Sequence, residues 1–251
     1  MPRRQTRGTR PLPVLLVIAL LFATLLAGGC AALPSGGSRV GQDDQGAERA
    51  SLASVSAGRG PHCLSSGVAV HVGRARFLTA AHLVDGTQAL LHGCSRTAQP
   101  GSATLRFAGS AFPAEMLRAG QADLGAGIGT FYVGGRDVAL LRGPAMPPGA
   151  AFIGLCAAPL LPGQAVEVVT PRRHAPTRIL DLVHEADPIH GFYAELPLPL
   201  EPGESGGAVI DPMAQCLAGL VSHRLDPSGR SGAASRTRIV PAAVLRAFLG
   251  E

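Results

Sequence analysis

Lysine is absent from the 251 residues, so the entire positive count of 22 is arginine. Charged residues make up only 16 % of the chain, against ~25 % in an average soluble protein. With 46 % of residues hydrophobic, a disordered acidic or basic tail protein is excluded, because such chains have too little apolar surface to bury. No internal repeat is present, which excludes a stacked-repeat array. What the chain has in excess is glycine (33) and proline (21), about a fifth of all residues against ~12 % on average, and this predicts many turns. The all-arginine excess of +5 invites a nucleic-acid reading, but its distribution argues against one. Arg3, Arg4, Arg7 and Arg10 precede an uncharged apolar run from Pro11 to Gly29. Taking these four arginines from +5 leaves +1, so there is no electrostatic case for nucleic acid as a partner.

A basic start followed by a greasy run has the pattern of a secretory signal. The run is also long enough to be weighed as a membrane-spanning anchor. Its end, Leu26-Ala-Gly-Gly-Cys30, resembles the bacterial lipobox, with Ala27 where leucine is commoner. That resemblance implies removal of residues 1–29 and lipidation of Cys30. The expected product is an exported lipoprotein held on a membrane of the cell envelope and facing the periplasm.

From Ala31 to Gly60 the chain mixes Gly, Ser, Ala and scattered charges without apolar periodicity, and a flexible tether is expected over residues 30–60. From Pro61 to Glu251 short apolar or alternating runs, among them SSGVAVHV, RFLTAAHLV, DVALLRG, QAVEVVT and CLAGLVSHR, are cut by Gly and Pro. Many short strands at regular intervals predict an all-β sandwich or barrel. One helix is expected at the end, from Pro241 to Leu249 and closed by Gly250. No further domain is expected within these residues.

Five cysteines in an exported chain leave one odd, and lipidation of Cys30 removes the oddness. Cys63, Cys94, Cys156 and Cys216 can then form two bridges by any of three connectivities. The preferred one is Cys63 with Cys94 and Cys156 with Cys216. A zinc site is the weaker reading, because no two of these cysteines have the short spacing of such sites. No cofactor is expected.

Three short motifs carry chemistry. Phe77-Leu-Thr-Ala-Ala-His82 ends a strand in two small residues and a histidine. Arg136-Asp137-Val-Ala-Leu-Leu141 opens an apolar strand with an aspartate. Pro202-Gly-Glu-Ser205-Gly-Gly-Ala-Val209 sets a serine in a glycine-rich turn. Each alone is an ordinary strand end or turn. Together, in the order His, Asp, Ser, they resemble the signatures of the chymotrypsin/trypsin-like serine peptidases. Leu217-Ala-Gly-Leu-Val-Ser222 and the Arg236–Val240 segment with its following helix extend the resemblance over residues 61–251. The resemblance implies two packed six-stranded antiparallel β-barrels with a short C-terminal helix and a site in the cleft between the barrels. It also implies His82 as general base, Asp137 as its orienting acid, Ser205 as nucleophile, and Ser222 as a support for Asp137. The N–H groups of Gly203 and Ser205 would form the oxyanion hole. The expected partner is a protein or peptide substrate.

The Gly203–Gly207 segment also fits G-x-S-x-G, but an α/β-hydrolase needs its acid and histidine after the serine. Asp211, Asp226 and His223 follow, all within the short remaining stretch, so an esterase ranks last. A catalytically silent trypsin-fold scaffold on the membrane is the non-enzyme alternative. Asp85, three residues from His82, is a rival acid better placed to cap a helical turn. Glu204 stands where the family has aspartate, which in zymogen-type members pairs with a freed N-terminus. Arg39-Val-Gly41 faintly resembles an activation site, and a linker reading is preferred there. Pro199 falls where trypsin-like members carry the acidic base of their specificity pocket, so a preference for Arg or Lys is unsupported. His223 and Arg224, on the expected pocket wall, suggest acidic or small side chains instead.

Overall fold

The protein is represented by a computed structural model that describes residues 46, 48–58, 63–94, 102–127, 130–227 and 234–251. The signal run, Cys30 and the Arg39 segment lie outside the described residues. The first half forms a closed antiparallel barrel in the order β1-β2-β3-β6-β5-β4. Its strands are β1 (Leu52–Gly58), β2 (Leu64–His71), β3 (Arg76–Thr79), β4 (Ser102–Phe107), β5 (Ser110–Ala119) and β6 (Ala139–Arg142), with the short helix α1 (Thr87–Leu91) after β3.

Strand β1 falls within residues 30–60, the stretch expected to be a tether, and the barrel begins no later than Leu52. The sequence LASVSAG carries too few large apolar groups to announce a strand. Its neighbours specify it: Leu52 to Gly58 pair in register with Val70 to Leu64, and Ser54 to Ala57 pair with Arg106 to Ala103. Ala53 and Val55 point into the barrel and are buried, whereas Ser54 is exposed.

The second half has seven antiparallel strands in the order β8-β7-β11-β12-β13-β10-β9. These are β7 (Ala165–Val169), β8 (His174–Arg178), β9 (Asp181–His184), β10 (Phe192–Leu196), β11 (Ala208–Asp211), β12 (Cys216–Leu225) and β13 (Arg236–Pro241). The two edge strands, β8 and β9, are separated only by Ile179 and Leu180. The Ile179 N–H donates to Gln164 O at 2.9 Å and the Leu180 N–H to Glu195 O at 2.7 Å. One run of chain thus passes from β7 to β10 and joins the two edges, and the seven strands are six passes of the chain. The helix α2 (Ala242–Leu249) follows β13, and the Gly250 N–H closes it on Arg246 O at 2.9 Å. Among the described residues no helix is long and apolar enough to cross a membrane.

Each barrel has its own core, built on Phe77, Leu105, Phe107 and Leu141 in the first and on Val166, Val168, Leu196 and Ile239 in the second. A third cluster joins Val70, Leu78 and Val138 of the first half to Tyr193, Leu220, Val240 and Phe248 of the second. Phe77 turns into its barrel while Leu78 turns toward the other half. This is why β3 is apolar on both faces and lacks the alternation of a half-exposed strand. Full burial of such side chains contributes about 1.5–3 kcal/mol each, so the two halves are held as one body. Disulfides join Cys63 to Cys94, across the segment that carries His82, and Cys156 to Cys216.

Candidate active site

His82 lies in a single 3-10 turn, Ala81–Leu83, immediately after β3. Ala80 and Ala81 are fully buried, and their small size lets the turn tuck against the barrel. Asp137 follows the turn Val133–Gly135 and precedes β6. Its carboxylate is 1 % exposed and holds His82 twice. Oδ1 accepts the His82 backbone N–H at 3.0 Å, and Oδ2 is 2.8 Å from Nδ1. The Ser222 hydroxyl, from β12, donates to Oδ2 at 2.5 Å. That hydroxyl has one hydrogen, so at 2.9 Å the His223 Nδ1–H donates to the Ser222 oxygen. The result is one chain of side chains, His223, Ser222, Asp137 and His82, drawn from both halves of the molecule.

The electrostatics follow from this geometry. Burial works against the Asp137 carboxylate, but the charge and hydrogen bonds of His82, together with Ser222, outweigh it and hold the pKa at about 2. Burial likewise works against the His82 imidazolium. The charge and hydrogen bond of Asp137 overcome it, and the pKa is raised above 6.5. For His223 burial prevails, pushing the pKa down to about 4, so this ring is neutral at pH 7. With Nδ1–H of His82 directed at Asp137, its Nε2 is left free to accept a proton.

Ser205 sits in the turn between β10 and β11. Its carbonyl accepts the Val68 N–H from β2 at 2.8 Å, and the Gly206 N–H donates to Val221 O in β12 at 2.8 Å. The serine turn is therefore clamped between the two halves, next to Ser222. Gly206 is required there: it has φ +80°, and a Cβ would collide with Val68 O and lie 2.7 Å from Thr79 Oγ1. Among the described residues Ser205 Oγ has no hydrogen-bond partner, and the bond from Ser205 to His82 is not formed. Such bonds are often loose until substrate binds. The N–H groups of Gly203 and Ser205 also have no protein acceptor among the described residues, so both are available to an oxyanion.

Glu204, between them, is 1 % exposed. One carboxylate oxygen accepts from Thr170 Oγ1 at 2.9 Å and from Arg173 Nε at 3.3 Å, and the other accepts the Glu201 N–H at 2.7 Å. Nothing in the sequence pattern pointed to Thr170 and Arg173. They belong to the β7–β8 turn, about thirty residues upstream, and only folding brings them to the serine turn.

The remaining expectations place as follows. Asp85 accepts from the Thr87 N–H at 2.8 Å, at the start of α1, and from Tyr132 Oη at 2.7 Å, and it makes no bond to His82. Pro199 is exposed, and the loop beside it is pinned to β13 by Thr237, which donates to Leu198 O at 2.6 Å and accepts from the Leu200 N–H. Arg224 does not offer an unmatched cation to substrate. Its guanidinium meets Asp226 at 2.6 Å and Glu201 at 3.6 Å. His223 points at Ser222 and is largely buried. Among the described residues Glu48, Glu167 and His174 converge closely enough to hold a cation, and none of them belongs to the His82 cluster.

No protein-family model and no curated protein matches this chain. Solved structures do. The protease Rv3671c from M. tuberculosis H37Rv, as a serine-to-alanine mutant in an inactive form, superposes with a TM-score of 0.57 at 20 % identity over 84 % of this chain and 90 % of that one. Its active form gives 0.55 at 19 % identity, over 82 % of each chain. The HtrA-type protease AlgW with a tripeptide gives 0.57 at 15 % identity, over 83 % of this chain and 61 % of that one. The fold is that of the chymotrypsin-like serine proteases, a closed six-stranded barrel beside a seven-stranded antiparallel sheet with one C-terminal helix.

Proposed function

We propose that this protein is a serine endopeptidase in which Ser205 attacks the scissile carbonyl, His82 takes the serine proton and Asp137 orients the imidazole. The observation that carries the reading is the pair of hydrogen bonds that Asp137 accepts from the ring and backbone of His82, supported by Ser222. A serine hydroxyl is a weak nucleophile at neutral pH and needs a base as it attacks. His82 Nε2 is that base, and Asp137 stabilises the imidazolium that forms. The tetrahedral oxyanion then draws on the Gly203 and Ser205 N–H groups. His82 returns the proton to the leaving amine; water then gives a proton to His82 as it attacks the acyl-enzyme, and His82 passes that proton to Ser205 Oγ as the ester bond breaks.

The Glu204 carboxylate has its counter-charge in Arg173, within the folded domain. On this reading the serine turn needs no freed N-terminus, and cleavage after Arg39 is not an activation step. We further assign the mature chain to the bacterial cell envelope, anchored through lipid on Cys30. Two disulfides fit an oxidising compartment, and the lipobox resemblance supplies the anchor. Intact-mass analysis of the membrane-extracted protein tests this: a diacylated N-terminal Cys30 is expected, and an unmodified residue there would refute it.

A further inference from the structure

A cavity of about 320 Å³ borders Gly203, and its charged lining residues are all basic. Four hydroxyl residues, Ser54, Ser56, Ser66 and Thr104, line it together with Arg106 and Arg172, and no acidic residue does. Strand register explains the grouping. Ser54 pairs with Arg106, and Ser56 pairs with Thr104 on one side and Ser66 on the other. These positions alternate with the buried Val55 and Leu105, so they form the outer face of the first barrel across β4, β1 and β2. Arg172 closes the cavity from the second half. Its Nη1 donates to Pro202 O at 3.2 Å, and its guanidinium lies about 4 Å from where a Cβ of Gly203 would be.

Many arginines of this chain meet a carboxylate, including Arg142, Arg173, Arg224, Arg236 and Arg238. Among the described residues Arg106 and Arg172 meet none. Two cations without counter-charges thus face one cavity that abuts a proposed oxyanion donor. The cavity shares no residue with Pro199–Glu201 or with β12 from Ser222 onward, the segments where the family resemblance puts the pocket for the acyl part of a substrate.

We infer that this cavity receives an acidic side chain of the substrate on the leaving-group side of the scissile bond, so that the preferred substrates carry Asp or Glu shortly after the cleaved bond. The inference rests on the peptidase reading and extends it to a substrate class. An incoming carboxylate meets two arginines and a ring of hydroxyl donors, whereas a lysine there meets repulsion. Because the site is open to water, each arginine is worth only a few-fold in rate, and raised salt weakens the preference.

The test uses the full chain and matched internally quenched peptides that differ only in carrying Glu, Gln or Lys at each of the first three positions after the cut. At one of those positions kcat/KM should fall in the order Glu, Gln, Lys, with about a tenfold span. Arg106→Glu should reverse the order, and Arg106→Gln, the milder change, should flatten it. Equal rates for the three peptides in the wild type, or an unchanged order in both variants, would overturn the subsite. Fluorophosphonate labelling of the wild type is read alongside. Labelling at Ser205 without any charge preference overturns the subsite alone, and no labelling overturns the peptidase reading together with it.

Discussion

Arg173 Nε lies 3.3 Å from the Glu204 carboxylate, directly behind the residue proposed as nucleophile. Glu204 is buried, its other oxygen holds the Glu201 N–H, and the serine turn inherits its shape from these contacts. Removing one member of such a pair leaves a buried charge without its partner, which costs more than the pair itself contributes. Arg173→Ala should therefore lower kcat by about tenfold to a hundredfold with little change in KM, less than the ~10²–10³ expected for deleting an oxyanion donor. Arg173→Lys should recover part of the loss. Steady-state kinetics on the folded variants decide it: a change confined to KM would remove Arg173 from the support of the turn.

With that ion pair internal to the domain, the account predicts that processing at Arg39 does not alter activity. Arg39→Ala should react with a fluorophosphonate at the wild-type rate. An unreactive Arg39→Ala protein would restore the activation-site reading.

The pH dependence follows from His82 and Asp137. His82 works as a base only when unprotonated, and its pKa is raised above 6.5. Labelling of Ser205 should thus decline as pH falls through a midpoint above 6.5. In Asp137→Asn burial acts without the compensating charge, so the midpoint should move below 6.5 while the maximal rate drops about 10⁴-fold. Stability has the opposite window for Asp137. Its folded pKa of about 2 lies below the ordinary 3.8, so its contribution is complete above 3.8 and disappears as pH falls toward 2. Thermal melts between pH 5 and pH 2 should show this loss in the wild type and a smaller one in Asp137→Asn.

Gly206→Ala combines a positive φ with a clash against Val68 O. The strain and the forced shift together should cost about 2–4 kcal/mol, read as a lower denaturation midpoint. A variant as stable as the wild type would show that the serine turn is not clamped to β2.

Much of this was legible in the sequence. The motifs of the proposed triad are local, because each of its side chains would need a particular neighbourhood: small residues before His82, an apolar strand after Asp137 and glycines around Ser205. The all-β class followed from short apolar runs between Gly and Pro, and the two-barrel arrangement from the family resemblance. Strand β1 was hidden, since LASVSAG forms a strand through its partners Val68, Val70 and Leu105 more than through its own hydrophobicity. Arg173 and Thr170 were hidden because a charged turn looks like solvated loop until it closes over Glu204. The pairing of Arg224 with Glu201 was hidden because the two lie far apart along the chain. The outer-face cavity was invisible for a similar reason, since Ser54, Ser66, Thr104 and Arg106 meet only through strand register.

The central claim, that Ser205 is a nucleophile activated by His82 and Asp137, is tested most directly by fluorophosphonate labelling of the folded full-length protein beside Ser205→Ala and His82→Ala. The account predicts covalent modification at Ser205 in the wild type, none in Ser205→Ala and a severe loss of rate in His82→Ala. A folded wild-type protein that takes up no probe, or one labelled equally well after Ser205→Ala, would contradict it.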